Sequence, residues 1–343
     1  MMNWKTHPSF DGHEDVVFVG GEAQGFAGII AVHSTAIGPA AGGCRIWDYN
    51  SADDALTDAL RLSRGMTYKN AMADLPLGGG KAVIYRINTD RVDAFQKFGD
   101  AVEKLGGKYI TAEDVGATVA DMRAIARSTS YVAGIPKEAG QAGGDPSPMT
   151  ALGTFVSIKA LLGGSVQGRT IAVQGVGNVG WNLCKLLADE GAKLVVADVN
   201  KANLQRAEAL GVEIAPVEQI HAVNADVFAP CALGAGLNES TIPELAAPII
   251  CGAANNQLAV EEDGVRLVAR GITYAPDYVV NAGGIINVSA EYLGEAADVV
   301  EGRVRAIAPR VLKVLDIAKS DNITPQQAAD RIVRERIAAA KRA

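Results

Sequence analysis

Short apolar clusters and longer amphipathic stretches alternate along the whole chain. Residues 16–19 and 28–32 are apolar enough to be strands, closing at the Gly38-Pro39 break. Residues 52–68 have helical periodicity, with Leu56, Leu60 and Met66 on one side and Ser51 or Asp53 available as a cap. A strand over 82–85, a helix over 90–105 stopped by Gly106-Gly107, and a strand over 108–114 with acids at its end follow. The Gly- and Pro-rich run 140–148 (GQAGGDPSP) reads as a boundary. Beyond it a helix over 149–162 opens a regular strand–helix alternation. Its strands are placed at Thr170–Gln174, Lys193–Ala197, 227–229, 249–252 and 274–280, and everything after about 295 reads as helical.

This pattern predicts an α/β protein of two domains. Residues 1–143 form an α/β domain around a sheet, and 147–317 form a doubly wound parallel sheet of Rossmann type. The terminal helix, 318–343, is expected to pack back on the first domain, with the active site in the cleft between the two.

Composition narrows the function. The chain has 343 residues, 48% hydrophobic, with a net charge of −7. That balance disfavours nucleic acid and anionic membrane as partners. No stretch approaches the length of a membrane span, and the first residues lack a signal-peptide core. Four scattered cysteines form no CxxC and share no metal-ligand spacing with the four histidines. The expectation is a reduced, cytoplasmic, metal-free protein.

The most specific motif is Gly175-Val-Gly177-Asn178-Val179-Gly180, which follows an apolar strand and opens a helix. There the first glycine permits a tight turn, the second admits a pyrophosphate, and the third lets helix and strand pack closely. The helix N-terminus offers free N–H groups to phosphates. The next strand ends at Asp198, placed to accept ribose hydroxyls and to repel a 2′-phosphate, which favours NAD. Later strand ends carry Cys231-Ala232, Ala254-Asn255-Asn256 and Asn281-Ala-Gly-Gly. The two asparagines read as ligand contacts or as turn formers, and Cys231 as a pocket liner.

In the first domain two lysines sit near glycines: Arg64-Gly-Met-Thr-Tyr-Lys69-Asn and Leu77-Gly-Gly-Gly-Lys81. The glycines could let backbone approach a small ligand, and a desolvated lysine has a lowered pKa. By themselves these residues fit equally well a loop with two solvated lysines. Gly80-Lys81 is no Walker loop, since a strand follows it. On the 108–114 strand, Ala112 and Asp114 share one face and Glu113 the other.

These motifs, with Thr111-Ala-Glu-Asp114-Val-Gly, Pro146-Ser-Pro-Met-Thr150, Phe228-Ala-Pro-Cys-Ala-Leu-Gly234 and Tyr274-Ala-Pro-Asp-Tyr-Val-Val-Asn281, resemble the Glu/Leu/Phe/Val amino-acid dehydrogenases. The similarity runs in order from about Gly28 to the C-terminus and is nearest the leucine/phenylalanine/valine branch. It implies reversible, NAD-dependent oxidative deamination of an apolar L-amino acid to the 2-oxo acid and ammonia, in a homo-oligomer. By matching positions, Lys69 would bind the α-carboxylate. Lys81 would polarise the carbonyl oxygen and activate water, and Asp114 would shuttle protons. Thr150 would contact the nicotinamide, and Asn256, with Asn255, would help hold the substrate. Gly42 and Gly43 belong to the matching GG-x-R motif, and Ala41 and Val288 stand where glutamate members hold the side-chain carboxylate. With Ala112, Ala133 and Ile285 they make an apolar pocket, roomier than that of a leucine dehydrogenase at Ala41 and Ala133, so phenylalanine or another aromatic competes with leucine, valine and isoleucine. The other readings are a dehydrogenase using the same Lys/Asp pair on another substrate class, and a catalytically dead NAD-binding protein.

Overall fold

The structure is a computed structural model that describes residues 3–135, 144–232 and 234–342. The chain divides into two compact units, 3–144 with 288–297 and 333–342, and 145–287 with 298–332. Of the boundary segment predicted at 140–148, residues 140–143 lie outside the described residues.

The first unit is built on a mixed sheet. Its strands are β1 (Asp15–Gly21), β2 (Phe26–Ser34), β3 (Ala40–Ala41), β4 (Cys44–Ile46), β5 (Gly78–Ile87) and β6 (Tyr109–Ile110), with α1 (Ala52–Met72), α2 (Arg91–Lys104) and α3 (Val119–Ile125) around it. Strand order is β1-β2-β5-β3-β6, with β4 also on β5. β1, β2 and β5 pair antiparallel, and β3 and β4 run parallel to β5. Every residue of β2 is buried because helices cover both sheet faces. Ile29, Ala31 and Val83 meet Leu56 and Leu60 of α1, whereas Ile30, Val32 and Ile84 meet Phe95, Phe98 and Met122 of α2 and α3. By alternation, Lys81 shares the α1 face with Val83.

α1 starts where expected, with the Ser51 side chain accepting from Asp54 N, but runs on to Met72 and so carries Lys69 within it. The strand expected over 108–114 is shorter. After β6 only single bridges continue it, Thr111 to Val132 and Cys44 to Glu113.

The second unit opens with α4 (Ser147–Leu161), followed by β7 (Thr170–Gln174), α5 (Asn178–Asp189), β8 (Lys193–Ala197), α6 (Lys201–Glu208), β9 (Glu213–Ile214), β10 (Val227–Pro230), β11 (Ile249–Ile250), α7 (Glu262–Ala269) and β12 (Thr273–Tyr274). All its strand pairs are parallel, in the order β12-β11-β10-β7-β8-β9. This is the doubly wound order, and it reverses between β7 and β10. The strand expected over 274–280 ends early: Pro276 interrupts it and α8 (Asp277–Val280) begins. The β-branched valines look like a strand, but proline supplies no N–H to a ladder and favours a helix start. Then come α9 (Gly283–Leu293), α10 (Ala297–Arg305), α11 (Ile307–Asp321), which ends on a left-handed Asn322, and α12 (Pro325–Ala340). Residues 333–342 of α12 and its end belong to the first unit, where Arg334 Nε donates to Tyr68 Oη at 3.2 Å and Arg336 Nη1 to Ala71 O at 2.9 Å.

Candidate active site

The first unit gathers its chemistry where β5, β4, α1 and the end of the 111–114 segment meet. Lys81 is 5% exposed, and its Nζ lies 2.7 Å from Asp114 Oδ2. Arg45 Nε donates to the same oxygen at 3.0 Å. Its Nη1 donates to Asp58 Oδ2 at 2.9 Å, and the Tyr49 hydroxyl donates to that carboxylate as well. Burial pulls the Lys81 ammonium below its ordinary range, against the opposing pull of Asp114. Burial alone would raise the Asp114 carboxyl, but Lys81 and Arg45 together hold it below the usual carboxylate value. The two groups thus form an ion pair largely withdrawn from water, with burial and the partner's charge opposing each other on each of them. Glu113 points away, with its Cγ 3.7 Å from the Cβ position that Gly134 would carry, and takes no part.

The glycines before Lys81 are needed for a different reason from the one expected. A Cβ at Gly78 would lie 1.9 Å from Ser34 O, one at Gly79 2.0 Å from Thr67 N, and one at Gly80 2.6 Å from the Tyr109 ring. They admit protein, not ligand: the α1 backbone lies directly on β5. Asn70 Nδ2 donates to Gly78 O at 2.6 Å, tying the helical turn that carries half-buried Lys69 to the strand that carries Lys81. His33 braces the same turn, its Nδ1 2.7 Å from Thr67 Oγ1. Burial lowers its pKa to about 4, so it is neutral at ordinary pH.

Gly42 and Gly43 act similarly. A Cβ at Gly42 would meet Gly80 O at 1.8 Å, and one at Gly43 would lie 2.9 Å from the Asp114 Cβ. Ala41 pairs with Gly79 and Ile110, Cys44 N donates to Ala112 O at 2.8 Å, and Ala133 N to Thr111 O at 2.8 Å. Ala41, Ala112 and Ala133 thus come from adjoining segments of one sheet end. Ile285 and Val288 are half-buried and three residues apart on α9, hence on one side of it.

In the second unit the fingerprint residues have three distinct environments. Gly175 has φ +90°, and a Cβ there would crowd Ala232 at 2.9 Å. At Gly180 a Cβ would lie 1.9 Å from Gly175 O, whereas at Gly177 it would meet nothing within 4 Å. The middle glycine faces open space in front of Asn178 and Val179, the first residues of α5, whose N–H groups lack intrahelical acceptors. Asp198 accepts from Val176 N at 2.8 Å, Asn200 N at 2.7 Å and Asn203 Nδ2 at 3.1 Å, which fixes the strand-end carboxylate beside that opening.

The remaining cofactor candidates cluster at the same, carboxyl, end of the sheet. Cys231 N donates to Gln174 O at 2.7 Å and Ala254 N to Pro230 O at 2.9 Å. Burial pushes the Cys231 thiol up to about 11, which suits a lining residue and not a nucleophile. Gly283 and Gly284 let the α9 start approach Met149 O and Thr150 Oγ1, and Asn281 Nδ2 donates to Asn255 Oδ1 at 2.9 Å. The Asn281 Oδ1 is a buried acceptor with no hydrogen-bond donor among the described residues. Exposed Asn256 has φ +52°, a turn conformation, and its carbonyl accepts from Ala235 N. An open helix N-terminus, a neighbouring carboxylate and an orphaned amide oxygen fit a dinucleotide with an amide-bearing ring. Among the described residues no cluster of His, Cys, Asp or Glu could hold a metal ion.

Three residues of the network were not anticipated from sequence: Arg45, Asp58 and Tyr49. Apart from that network, the Glu291 carboxylate accepts from Gly134 N at 2.7 Å and Gly144 N at 2.9 Å. Arg45 could have been found, since it ends the Gly42-Gly43-Cys44-Arg45 motif. Asp58 could not, because it lies among the acids of an amphipathic helix.

The chain matches known proteins over nearly its whole length. The family described as Glu/Leu/Phe/Val dehydrogenase, dimerisation domain, matches residues 13–131. The glutamate/leucine/phenylalanine/valine dehydrogenase family matches 144–202 and 196–343. A leucine dehydrogenase of Geobacillus stearothermophilus is 48% identical over 341 residues, covering 96% of this chain and 92% of its own. A valine dehydrogenase of Streptomyces virginiae is 43% identical, covering 98% and 96%. The crystal structure of L-tryptophan dehydrogenase from Nostoc punctiforme superposes with a TM-score of 0.88 at 42% identity, covering 97% of this chain and 98% of that one. The chain belongs to the Glu/Leu/Phe/Val dehydrogenase family and is an amino-acid dehydrogenase.

Proposed function

We propose that the protein catalyses the reversible, NAD-dependent oxidative deamination of an apolar L-amino acid to its 2-oxo acid and ammonia. The observation that carries this reading is the buried Lys81–Asp114 pair, 2.7 Å apart, in the unit that also holds Lys69. Lys69 anchors the substrate α-carboxylate as a point charge. The Lys81 ammonium donates to the oxygen that becomes the carbonyl and, once neutral, takes a proton from the water that attacks the imine. Asp114 moves protons to and from the substrate nitrogen through the amine, imine and carbinolamine stages. When bound, the nicotinamide dinucleotide supplies hydride acceptance from Cα.

Gly175, Gly177, Asn178, Val179 and Gly180 would hold the pyrophosphate. Thr150, Cys231, Ala232, Ala254 and Asn255 would line the nicotinamide end, and Asn256 would assist the substrate. The Asp198 carboxylate, oriented by three N–H donors with acceptor capacity to spare, accepts ribose hydroxyls and repels a 2′-phosphate, so NAD is preferred to NADP. Ala41, Ala112, Ala133, Ile285 and Val288 offer no partner to a side-chain carboxylate, whose unpaired burial costs several kcal/mol. Glutamate is thereby disfavoured. The alanines leave room for branched-chain and aromatic side chains, and the relatives named above are leucine, valine and tryptophan dehydrogenases. A homo-oligomer agrees with the family's description of residues 13–131 as a dimerisation domain. A cytoplasmic location agrees with four unpaired thiols. No helix among the described residues is long and apolar enough to cross a membrane.

The test is NADH oxidation with ammonia and a panel of branched-chain, aromatic and dicarboxylic 2-oxo acids. Turnover with the apolar acids is expected. Absence of turnover with all of them refutes the reading, preference for 2-oxoglutarate refutes the pocket argument, and equal use of NADPH refutes the role of Asp198.

A further inference from the structure

We propose that Arg45 is a positioning residue for the deamination: it holds Asp114 by Oδ2, the oxygen shared with Lys81, and so presents Oδ1 as the oxygen that exchanges protons with the substrate. The inference rests on the proton-transfer role given above to Asp114. Both cations make their shortest contact with Oδ2, at 2.7 and 3.0 Å, and among the described residues no hydrogen bond falls on Oδ1. The Asp114 side chain is 22% exposed, so the carboxylate has one oxygen held within the protein and a remaining open side.

Arg45 can do this because it is itself fixed. A guanidinium forks to two acceptors in one plane, here Asp114 on one side and Asp58 of α1 on the other. The Tyr49 hydroxyl, kept protonated by burial and by Asp58, closes the outer end of the chain. On the inner end, Gly43 lets the backbone leading into Arg45 run against the Asp114 Cβ. The groups facing Arg45 and its partner are thus Asp114, Asp58, Tyr49, Lys81 on β5, and the Cys44 thiol, which burial keeps protonated. A proton taken from the substrate ammonium breaks an N–H bond and forms Oδ1–H, and the reverse step returns it. Throughout, Arg45 and Lys81 stay on Oδ2, so the acceptor does not rotate between steps. Arg45 also bears electrostatically on both titrating groups: as a neighbouring cation it lowers the pKa of Asp114 and that of Lys81.

The variants are Arg45→Gln, Arg45→Lys and Asp58→Asn, assayed as full-length protein, with thermal unfolding and NADH titration to establish folding and cofactor binding. Arg45→Gln is expected to lower kcat about 10- to 100-fold with the amino-acid KM within about threefold. Both limbs of its kcat–pH profile should move to higher pH, by about one unit. Arg45→Lys restores the profile's position but only part of kcat, because an ammonium keeps the charge and loses the fork. Asp58→Asn leaves Arg45 in place but loosened, giving a smaller loss of kcat, and it serves if Arg45→Gln does not fold. Folded Arg45→Gln, or failing that folded Asp58→Asn, with the kcat and pH limbs of the parent overturns the proposal, as does a loss confined to KM. An inactive parent enzyme instead overturns the assignment of the reaction, so the two failures are distinguishable.

Discussion

Asp114→Asn removes one charge from a linked set of four, Lys81, Asp114, Arg45 and Asp58, and leaves the geometry nearly unchanged. Taking one partner from a buried ion pair costs about 3–5 kcal/mol, because the other is left uncompensated. Here the Asp114 side chain is 22% exposed and Arg45 keeps its bond to Asp58, so the cost belongs at the lower end, about 3 kcal/mol at pH 7. Lys81, with a 6% exposed side chain, has one way to reduce it, which is to give up its proton. Burial already lowers its pKa, and losing the carboxylate lowers it further. Below the variant's folded-state value the full deficit stands. Between that value and the higher folded-state value of the parent, the variant's native state has released a proton that the unfolded chain retains. The deficit therefore narrows there by about 1.4 kcal/mol per pH unit. Urea unfolding of both proteins at fixed protomer concentration, from pH 7 to 10, measures this directly. A deficit under about 1 kcal/mol that does not change with pH would refute the claim that Lys81 is charged and desolvated by this arrangement. In the same protein kcat should fall by about 10²- to 10⁴-fold while NADH still binds.

Other outcomes follow from individual contacts. Lys69→Ala should raise the amino-acid KM at least tenfold with a smaller change in kcat, and an unchanged KM would contradict its anchoring role. Gly177→Ala should keep the parent's thermal stability and lose NADH affinity by fluorescence titration, since a Cβ there meets no protein atom within 4 Å. Gly180→Ala should lower the melting temperature, because its Cβ would lie 1.9 Å from Gly175 O, and equal behaviour of the two variants would sink this assignment. Ala41→Leu should shift the ratio of kcat/KM values from aromatic toward branched-chain 2-oxo acids by about 10- to 100-fold, the range available to a few methylenes in an apolar pocket.

The second unit is the more legible from sequence because its central strands β7, β8 and β10 are largely buried and read as apolar runs, whereas the short, exposed edge strand β9 gives no such signal. The fingerprint glycines then fell where a strand meets a helix. Over 274–280 the valines Val279 and Val280 have strand character, but Pro276 decides the local structure and a helical turn follows it. In the first unit the 108–114 segment looked like one strand, but it is held largely by backbone bonds from residues distant in sequence, such as Cys44 N to Ala112 O. The extension of α1 to Met72 was hidden because Lys69 and Asn70 break the apolar stripe. Asn70 is inside, spending its amide on Gly78 O. The Arg45–Asp58 contact was invisible for a related reason: Asp53, Asp54 and Asp58 look alike on a helical wheel, and only tertiary packing singles out the last.

The unit that carries Lys69, Lys81 and Asp114 is not continuous in sequence. It needs residues 288–297 and 333–342, and Arg334 and Arg336 reach Tyr68 and Ala71, on either side of Lys69 and Asn70. During synthesis the chain emerges N-terminal end first and folds unit by unit. The second unit takes its last residues from 298–332, so it is complete while the first unit still waits for 333–342. A chain released before Val333 would hold every residue of the second unit but lack the Arg334 and Arg336 contacts that brace the helical turn carrying Lys69. The second unit would then be complete before the first in the life of each molecule.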